Sequence, residues 1–247
     1  MEEFAGKTAV VTGAASGIGL ALTEAFVAEG MQVVMADIDE EALRPHAARL
    51  AAAGADVIPV PVDVRDPDAV DALGAAAVAH FGKLHVAVNN AGIVNGGYSW
   101  ELSLEDWHRV LDINLFGVIH GIRAFVPRIL ASEEEGHIVN TGSMASVVAL
   151  ARLGPYTVAK HGVLGLSDVL RAEMASLDAP VGVSVVMPGM IKTGMNPVGL
   201  VSSATVAANV VDAIRRNRPY VFTDDHSADI VEARLTAIVA ARGDVIA

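Results

Sequence analysis

The stretch that decides the fold is TAVVTGAASGIG, which runs from Thr8 to Gly19. An apolar run rich in β-branched residues leads directly into a glycine-rich loop, and an apolar-periodic segment follows the loop. This order predicts a buried strand, a tight turn and a helix. The same alternation of short apolar runs and longer helical patterns continues from one end of the chain to the other.

That alternation predicts the architecture of the whole chain. The predicted strands cover residues 8–12, 32–37, 57–62, 84–89, 137–141, 182–187 and 220–223. The predicted helices cover residues 17–29, 39–53, 67–81, 104–130, 155–177 and 203–216. Strands this apolar are typical of a parallel sheet buried on both faces. Right-handed crossovers then give an α/β fold, a Rossmann-type doubly wound parallel β-sheet of seven strands with helices on both faces. No linker rich in Pro or Ser interrupts the pattern, so we expect one domain over residues 1–247.

The glycine-rich loop suits a bound phosphate. Glycines permit a tight turn and let backbone N–H groups approach a pyrophosphate at a helix N-terminus. The spacing is G-x-x-x-G-x-G rather than the G-x-G-x-x-G of the usual dinucleotide fingerprint, and an ordinary tight turn is the alternative. The position between the first strand and the first helix favours a binding site. The residues predicted to bind a dinucleotide here are Gly13, Ser16, Gly17, Ile18 and Gly19.

An acid at the end of the second strand points to the kind of dinucleotide. Asp37, followed by Ile38, lies about 20 residues beyond the glycine loop, where a carboxylate can accept both ribose hydroxyls of adenosine. The same charge would repel a 2′-phosphate, and no base compensates, because residues 39–41 are all acidic. Capping the next helix is the alternative role for Asp37, although Asp39 could do this instead. We therefore predict NAD rather than NADP, with Asp37 and Ile38 at the adenosine ribose.

Two further strand ends carry residues that suit the same ligand. Asp63 and Val64 follow the third strand and are predicted to meet the adenine edge, although Asp63 could equally cap a turn. The small residues of Asn90-Ala91-Gly92 follow the fourth strand and allow close approach to the cofactor ribose. They could also form a plain turn, but ligands bind at the carboxyl ends of the strands in such sheets.

Three residues could form a catalytic group. Ser143 lies at the end of the fifth strand, and Tyr156 and Lys160 lie on the following helix. Residues at i and i+4 share a helix face, so the Lys160 ammonium can lie near the Tyr156 phenol. A nearby cation favours the phenolate and lowers a tyrosine pKa from about 10, which makes the side chain a usable acid or base. Ser143 would hydrogen-bond the substrate oxygen. The alternative is a lysine that packs beside a buried tyrosine without chemistry.

The amino-acid composition of the chain restricts the kinds of molecule that the protein could bind. The 247 residues are 53% hydrophobic and include no cysteine, and the formal net charge is −12. The lack of cysteine excludes disulfides and thiolate sites and fits a reducing compartment. The acidity argues against nucleic acid and anionic membrane. Acids at Glu2 and Glu3 replace the bases of a secretory signal, and apolar stretches such as 181–187 fall short of the roughly 20 residues that span a bilayer. We expect a cytoplasmic protein, and no metal, because no histidine shows metal-ligand spacing.

Taken together, these motifs resemble the short-chain dehydrogenase/reductase family, in its compact single-domain branch. The resemblance covers roughly residues 5–195, and the matching motifs occur in the family's order. They are Thr12-Gly13-x-x-x-Gly17-Ile18-Gly19, Asp63, Asn89-Asn90-Ala91-Gly92, Asn114, Ser143, Tyr156-x-x-x-Lys160 and Pro188-Gly189-x-x-x-Thr193.

The resemblance implies further roles. Lys160 would also bind the nicotinamide ribose, and Asn114 would lie at a helix irregularity and hold a water that links Lys160 to solvent. The alternative for Asn114 is a mid-helix side chain that bonds back to a carbonyl. The nicotinamide would be held by Pro188, Gly189, Ile191 and Thr193. The implied reaction is hydride transfer between NAD and an apolar secondary alcohol or ketone, with Tyr156 as general acid and base.

The chain also departs from many relatives. They end in a strand with an Asp-Gly-Gly signature that helps build a tetramer, whereas here 218–223 reads RPYVFT and an alanine-rich helical tail follows. Pairing through the helices at 104–130 and 155–177 still predicts a homodimer or homotetramer. Segment 194–204 is short for a substrate lid. An open, apolar pocket for a small-molecule substrate is expected from Met144, Leu150, Leu153, Met190 and Met195.

The sequence leaves two alternative functions possible. An NADPH-dependent ketone reductase of the same fold differs only in the cofactor. A nucleotide-sensing protein that has lost catalysis would keep the dinucleotide site, but the intact Ser143, Tyr156 and Lys160 argue against it.

Overall fold

The computed structural model describes residues 1–192, 198–223, 225 and 228–244 of the chain. Its strands, numbered β1 to β9 along the chain, are Thr8–Thr12, Gln32–Asp37, Val57–Pro61, Val86–Asn89, Gly136–Thr141, Val181–Met187, Ile191–Lys192, Val201–Ser202 and Tyr220–Phe222. Seven of them form one parallel sheet in the order β3-β2-β1-β4-β5-β6-β9. The predicted seven-stranded parallel sheet is therefore confirmed. β7 and β8 form a separate two-stranded ribbon.

Small apolar side chains fill the centre of the sheet. Val10 of β1 pairs in register with Val34 of β2 and with Ala87 of β4, and all three side chains are fully buried. Both faces of these strands are covered, so the pleat shows no alternation of apolar and polar residues. This is why the unbroken apolar runs in the sequence predict a parallel sheet correctly.

Helices cover both faces of the sheet. Helices α1 to α8 are Gly17–Ala28, Glu40–Ala52, Pro67–Phe81, Leu104–Leu111, Gly117–Leu130, Gly154–Ser176, Ser203–Arg215 and Ala228–Ala240. On one face Phe26 of α1 and Ile214 of α7 belong to the same buried cluster. On the other face Leu73 of α3 and Phe125 of α5 belong to a second buried cluster. The sheet is doubly wound, as predicted.

The predicted helix over 104–130 is divided. A π-helical turn, Asp112–Phe116, separates α4 from α5 and contains the fully buried Asn114. The Asn114 amide nitrogen donates a hydrogen bond to the carbonyl oxygen of Val110, 3.0 Å away. A side chain that takes this carbonyl competes with the main-chain donor, which gives a physical reason for the wider turn.

The run Leu104–Leu130 is also long and apolar enough to cross a membrane by length and composition alone. However, 44% of its most apolar window is buried inside the structure. The side chains of Phe125 and Ile129 in α5 are fully buried in the core, with 0% of each accessible to solvent. Core helices pass the same test of length and composition, and this run packs as one.

The strand order creates a crevice where the ligand was predicted. Along the chain, β2 and β3 extend the sheet on one side of β1, whereas β4, β5 and β6 extend it on the other. Loops that leave the carboxyl ends of β1 and β4 therefore diverge, and ligands bind at such switch points. The remaining predicted strand and helix ends lie within two residues of the observed ends.

Candidate active site

A cleft of about 800 Å³ lies over the carboxyl ends of the strands. It contains most of the residues that the sequence singles out, although they are spread over 178 positions between Gly13 and Ile191 (191 − 13). The predicted residues that line it are Gly13, Ser16, Gly17, Ile18, Asp37, Ile38, Asp63, Val64, Asn90, Ala91, Gly92, Asn114, Ser143, Tyr156, Lys160, Pro188, Gly189 and Ile191. Thr193 and Met195 lie outside the described residues.

The glycine loop forms one wall by close backbone contact. Gly13 has a φ of +68°, a left-handed conformation that favours glycine. A Cβ atom at Gly19 would collide with the carbonyl oxygen of Gly13 and would lie 2.7 Å from the amide nitrogen of Asn90. Gly19 therefore does not line the cleft itself but lets α1 begin directly against the loop. Ser16 is the N-cap residue of α1, and its side chain makes no capping hydrogen bond within the described residues.

A hydroxyl ties the two diverging loops together. Thr12 Oγ1 accepts hydrogen bonds from the backbone nitrogens of Asn90, at 2.9 Å, and Ala91, at 3.1 Å. The Asn90 amide nitrogen donates to the Thr12 carbonyl oxygen at 3.0 Å. The ends of β1 and β4 are thereby fixed relative to each other, so the cleft wall is formed before any ligand binds.

Asp37 is anchored by the backbone on both sides. Its Oδ2 accepts a hydrogen bond from Ala15 N at 2.9 Å, and its Oδ1 accepts one from Asp39 N at 3.0 Å. The cap of α2 is Asp39, whose side chain accepts from Ala42 N. Asp37 is therefore not the cap of this helix. Its carboxylate is instead hydrogen-bonded to the glycine loop through Ala15 N.

Asp63 has a cationic neighbour that the sequence analysis passed over. Arg65 Nε lies 2.9 Å from Asp63 Oδ2 and 3.0 Å from Oδ1, and Arg65 N also donates to Oδ1 at 3.0 Å. The hydrogen bond from Arg65 lowers the pKa of the Asp63 carboxyl, and burial opposes this in part. Arg65 lines the cleft with its charge already engaged.

The candidate catalytic residues come from β5 and α6. Ser143 follows β5 and caps a short 3₁₀ turn, Met144–Ser146, where its Oγ accepts a hydrogen bond from Ala145 N at 3.1 Å. Tyr156 lies in the first turn of α6 and Lys160 lies one turn later. Lys160 Nζ donates to the carbonyl oxygen of Thr141 at 2.7 Å and lies 5.6 Å from the centre of the Tyr156 ring.

Burial changes the proton affinities of this group in a way that the sequence does not indicate. The Lys160 side chain is buried, and desolvation lowers its pKa to about 8. Desolvation raises the pKa of Tyr156, and the hydrogen bond with Ser143 offsets only part of that rise. The expected lowering of the tyrosine pKa is therefore wrong for the protein by itself, because loss of water around the phenolate raises the pKa more than the Ser143 hydrogen bond lowers it.

Asn114 connects the π turn to the cleft. Its amide nitrogen donates to the carbonyl oxygens of Ile93 and Val110, both at 3.0 Å, and its Oδ1 accepts from Ile93 N at 3.3 Å. The helix irregularity expected from the resemblance and the backward bond to a carbonyl occur together here. The backward bond is thus present, and the role of Asn114 in holding a water stays a prediction.

Several lining residues were missed by the sequence reasoning. Arg109 lies at the end of α4 and Ile113 lies four residues later in the π turn, and this spacing within the predicted 104–130 helix was a usable signal. The others are Val62, Arg65, Ile93, Val94, Thr141 and Gly142. Of the apolar pocket residues that were predicted, Leu153 and Met190 line the cleft, whereas Met144 and Leu150 do not.

The known proteins that this chain resembles in sequence and structure are described as dehydrogenases or oxidoreductases. A family model described as short chain dehydrogenase matches residues 7–198. The 1-deoxy-11-beta-hydroxypentalenate dehydrogenase of Streptomyces avermitilis is 41% identical over 231 residues, which cover 88% of this chain and 84% of that protein. The putative oxidoreductase SadH of Mycobacterium tuberculosis is 39% identical over 195 residues, which cover 79% and 70% of the two chains. A short chain dehydrogenase/reductase from Burkholderia phymatum, solved in complex with NAD, superposes with a TM-score of 0.95 at 35% identity, covering 97% of this chain and 96% of that one.

Proposed function

The chain belongs to the short-chain dehydrogenase family, and we propose that it transfers a hydride between NAD and an apolar secondary alcohol or ketone. The observation that carries the proposal is the grouping of Ser143, Tyr156 and Lys160 in the same cleft as the glycine loop and Asp37. The ends of β2 and β5 are three strand spacings apart, roughly 14 Å, which suits an extended dinucleotide.

The residues of the cleft fit the cofactor. Gly13 and the start of α1 offer backbone N–H groups to a pyrophosphate, since the left-handed Gly13 and the absent Cβ of Gly19 leave the loop open. The residues proposed to hold the adenosine half are Asp37, Ile38, Asp63, Val64, Asn90, Ala91 and Gly92. Those proposed to hold the nicotinamide half are Tyr156, Lys160, Pro188, Gly189, Ile191 and Thr193. When bound, the nicotinamide supplies the hydride acceptor for oxidation and the hydride donor for reduction.

Proton transfer is assigned to Tyr156. In oxidation, Ser143 and Tyr156 bind the hydroxyl of the substrate, and the Tyr156 phenolate removes the hydroxyl proton as the hydride leaves the carbinol carbon. In reduction the protonated phenol returns this proton to the carbonyl oxygen. Lys160 is held by the Thr141 carbonyl near the ring, where its ammonium form favours the phenolate. Asn114 is proposed to hold a water that connects Lys160 to solvent.

NAD is preferred over NADP in this proposal. The Asp37 carboxylate accepts from Ala15 N and stands where it would repel a 2′-phosphate. Arg65, the neighbouring base, is engaged by Asp63 and so offers little to a second anion. The relative from Burkholderia phymatum, solved with NAD, supports the same choice.

We also propose the domain organisation, cellular location and oligomeric state of the protein. We infer one catalytic domain over residues 1–247 in the cytoplasm, without nucleic acid or membrane as a partner, in line with the net charge of −12. A homodimer or homotetramer is supported by apolar side chains that are about half exposed on the π turn and on α6, namely Phe116, Val158 and Val169. Apolar surface of this kind is commonly buried between subunits.

A substrate screen tests the function. Cyclic secondary alcohols are offered with NAD or NADP at alkaline pH, and formation of the reduced nicotinamide is followed by its absorbance. We expect turnover of apolar alcohols, such as those related to the hydroxypentalenate of the Streptomyces relative, with NAD favoured. Equal or better rates with NADP would favour the NADPH-dependent ketone reductase. Tight NAD binding with no turnover of any alcohol or ketone would favour a nucleotide-sensing protein.

A further inference from the structure

A stack of three planar groups stands beside the mouth of the cleft. The Arg152 guanidinium lies over the Tyr98 ring, 4.6 Å from its centre, and the Tyr98 ring is stacked on the Trp100 ring with 4.9 Å between centres. Leu153, the residue after Arg152, lines the cleft. Trp100 is 79% exposed, so the stack is a surface feature and not part of the core.

The backbone of Arg152 is strained and fixed. Its φ is +66°, a left-handed conformation that is costly for a residue other than glycine, roughly 1–2 kcal/mol. The Arg152 carbonyl oxygen accepts a hydrogen bond from Gly97 N at 2.8 Å, and Leu153 N donates to the Leu150 carbonyl oxygen at 3.1 Å. Strained residues of this kind cluster at ligand clamps and active sites, which makes the position a candidate for function.

The guanidinium of Arg152 has no acidic partner among the described residues, in contrast to Arg44, Arg128 and Arg171, which all pair with carboxylates. Within the same residues it makes no hydrogen bond either. Stacking on Tyr98 uses the face of the guanidinium and leaves its N–H edge free, which is the edge that binds a carboxylate in a bidentate manner. Arg152 is therefore a cation held in place by stacking in a chain whose net charge is −12.

Arg152 does not itself line the cleft, but the cleft that Leu153 lines also carries exposed apolar side chains. Val94 and Met190 line the cleft and are 42% and 53% exposed, and Leu150, two residues before Arg152, is 41% exposed. A substrate that extends past these apolar side chains would reach the Arg152 guanidinium outside the cleft. This pattern matches a molecule with an apolar ring skeleton and one anionic group.

We propose that Arg152 binds a carboxylate of the substrate, so that the preferred substrates are cyclic secondary alcohols with a carboxylate remote from the reacting carbon. The inference rests on the proposed function, because it assigns a second contact to the molecule whose hydroxyl meets Ser143 and Tyr156. Tyr98 and Trp100 act as positioning residues that hold the guanidinium at the rim.

The test compares carboxylates with their methyl esters. The probes are hydroxycyclohexane, hydroxydecalin and hydroxysteroid carboxylates, each with its ester and the corresponding ketones. Binding of the ketones is measured by calorimetry with and without NADH, and turnover of the alcohols is measured with NAD. At least one carboxylate should bind and react about tenfold better than its ester, as expected for one charge-assisted bidentate contact at a partly exposed site.

Two variants separate a specific contact from general electrostatics. Arg152→Asn removes the guanidinium and keeps a side chain that tolerates the left-handed conformation. It should abolish the preference for carboxylates and leave the esters unchanged. Arg123→Gln is the matched control, because Arg123 is exposed on α5, lies outside the cleft and has no acidic partner among the described residues; it should keep the preference.

The outcomes distinguish this inference from the proposed function. A carboxylate preference that survives Arg152→Asn overturns the role of Arg152, and so does equal binding of carboxylate and ester for all three skeletons. If no alcohol turns over but the carboxylate ketones still bind through Arg152, the inference holds and the proposed reaction fails. If esters and carboxylates turn over equally well with NAD, the reaction holds and the inference fails.

Discussion

Lys160 Nζ lies 5.6 Å from the centre of the Tyr156 ring, and burial opposes the charged form of both side chains. The pKa of Lys160 falls to about 8, and the pKa of Tyr156 rises. The protein therefore holds an acid–base pair whose charges are costly until a ligand compensates them.

The pH dependence of the two directions should have opposite signs. Oxidation needs the Tyr156 phenolate, whose pKa is raised by burial, so kcat/KM for alcohols should increase from about pH 7 to about pH 10. Reduction needs the protonated phenol, so kcat/KM for ketones should fall over the same range. Steady-state rates in both directions measure this. A rate of oxidation that falls with rising pH would contradict the assignment.

Replacing Lys160 should stabilise the protein and remove its activity. Lowering the pKa from 10.5 to about 8 corresponds to roughly 3 kcal/mol against the buried charge. Lys160→Met gives up the hydrogen bond to Thr141, worth about 1 kcal/mol, so the net gain at neutral pH should be about 2 kcal/mol, or roughly 5 °C in Tm.

The gain from Lys160→Met should shrink as the pH rises. Below about pH 8 the native and unfolded forms of the wild type are both protonated, and the full cost is present. Between about 8 and 10.5 the native form loses the proton while the unfolded form keeps it, so wild-type stability rises with pH. Thermal unfolding of both proteins across this range provides the measurement, and a variant less stable than the wild type at neutral pH would refute the argument.

Cofactor choice should depend on the charge of Asp37. Asp37→Asn keeps an oxygen that can accept from Ala15 N but removes the repulsion of a 2′-phosphate. We expect kcat/KM with NADP to rise about tenfold and that with NAD to fall by a similar factor. Asp39→Asn is the control, because asparagine caps a helix as well as aspartate does and Asp39 does not line the cleft. Equal changes in both variants would mean that only the general field of the protein matters.

Two glycine substitutions should have opposite effects on stability. A methyl group at Gly19 would collide with the Gly13 carbonyl oxygen, so Gly19→Ala should cost on the order of 2–4 kcal/mol and abolish cofactor binding. Gly165 lies in the middle of α6 with nothing within 4 Å of the added methyl group. Because Gly165 shares a face of α6 with Val158 and Val169, Gly165→Ala should stabilise the isolated subunit by about 0.5–1 kcal/mol, measured at a concentration where the chain is monomeric. Denaturant unfolding and NADH titration of the two variants measure both effects. Normal NADH binding by Gly19→Ala would contradict the need for close contact between Gly19 and the Gly13 loop.

Much of the fold and the cleft could be predicted from local patterns. The β-branched runs and the glycine loop predict the parallel sheet because burial on both faces leaves an unbroken apolar signature in the sequence. The residues that line the cleft follow strand ends, and parallel strands bring these ends to one edge. Gly13, Asp37 and Ser143 thus meet although they are far apart in the chain.

Other features depend on contacts that no local pattern records. The π turn around Asn114 arises from hydrogen bonds to Val110 and to Ile93 in a different loop. The sign of the Tyr156 pKa shift depends on how completely the folded chain removes water from the phenol. The stack of Arg152 on Tyr98 joins two loops more than 50 residues apart, since 152 − 98 = 54. Such features need the tertiary structure.

The most direct test of the account is Tyr156→Phe, which removes the hydroxyl and keeps the ring. We predict that kcat falls by about 10³-fold or more while the Kd for NADH stays within about twofold of wild type. Tyr220→Phe is the control, since the Tyr220 hydroxyl bonds to Asp168 away from the cleft, and it should keep full activity. A Tyr156→Phe protein that retains more than about a tenth of wild-type activity would contradict the assignment of proton transfer to this residue.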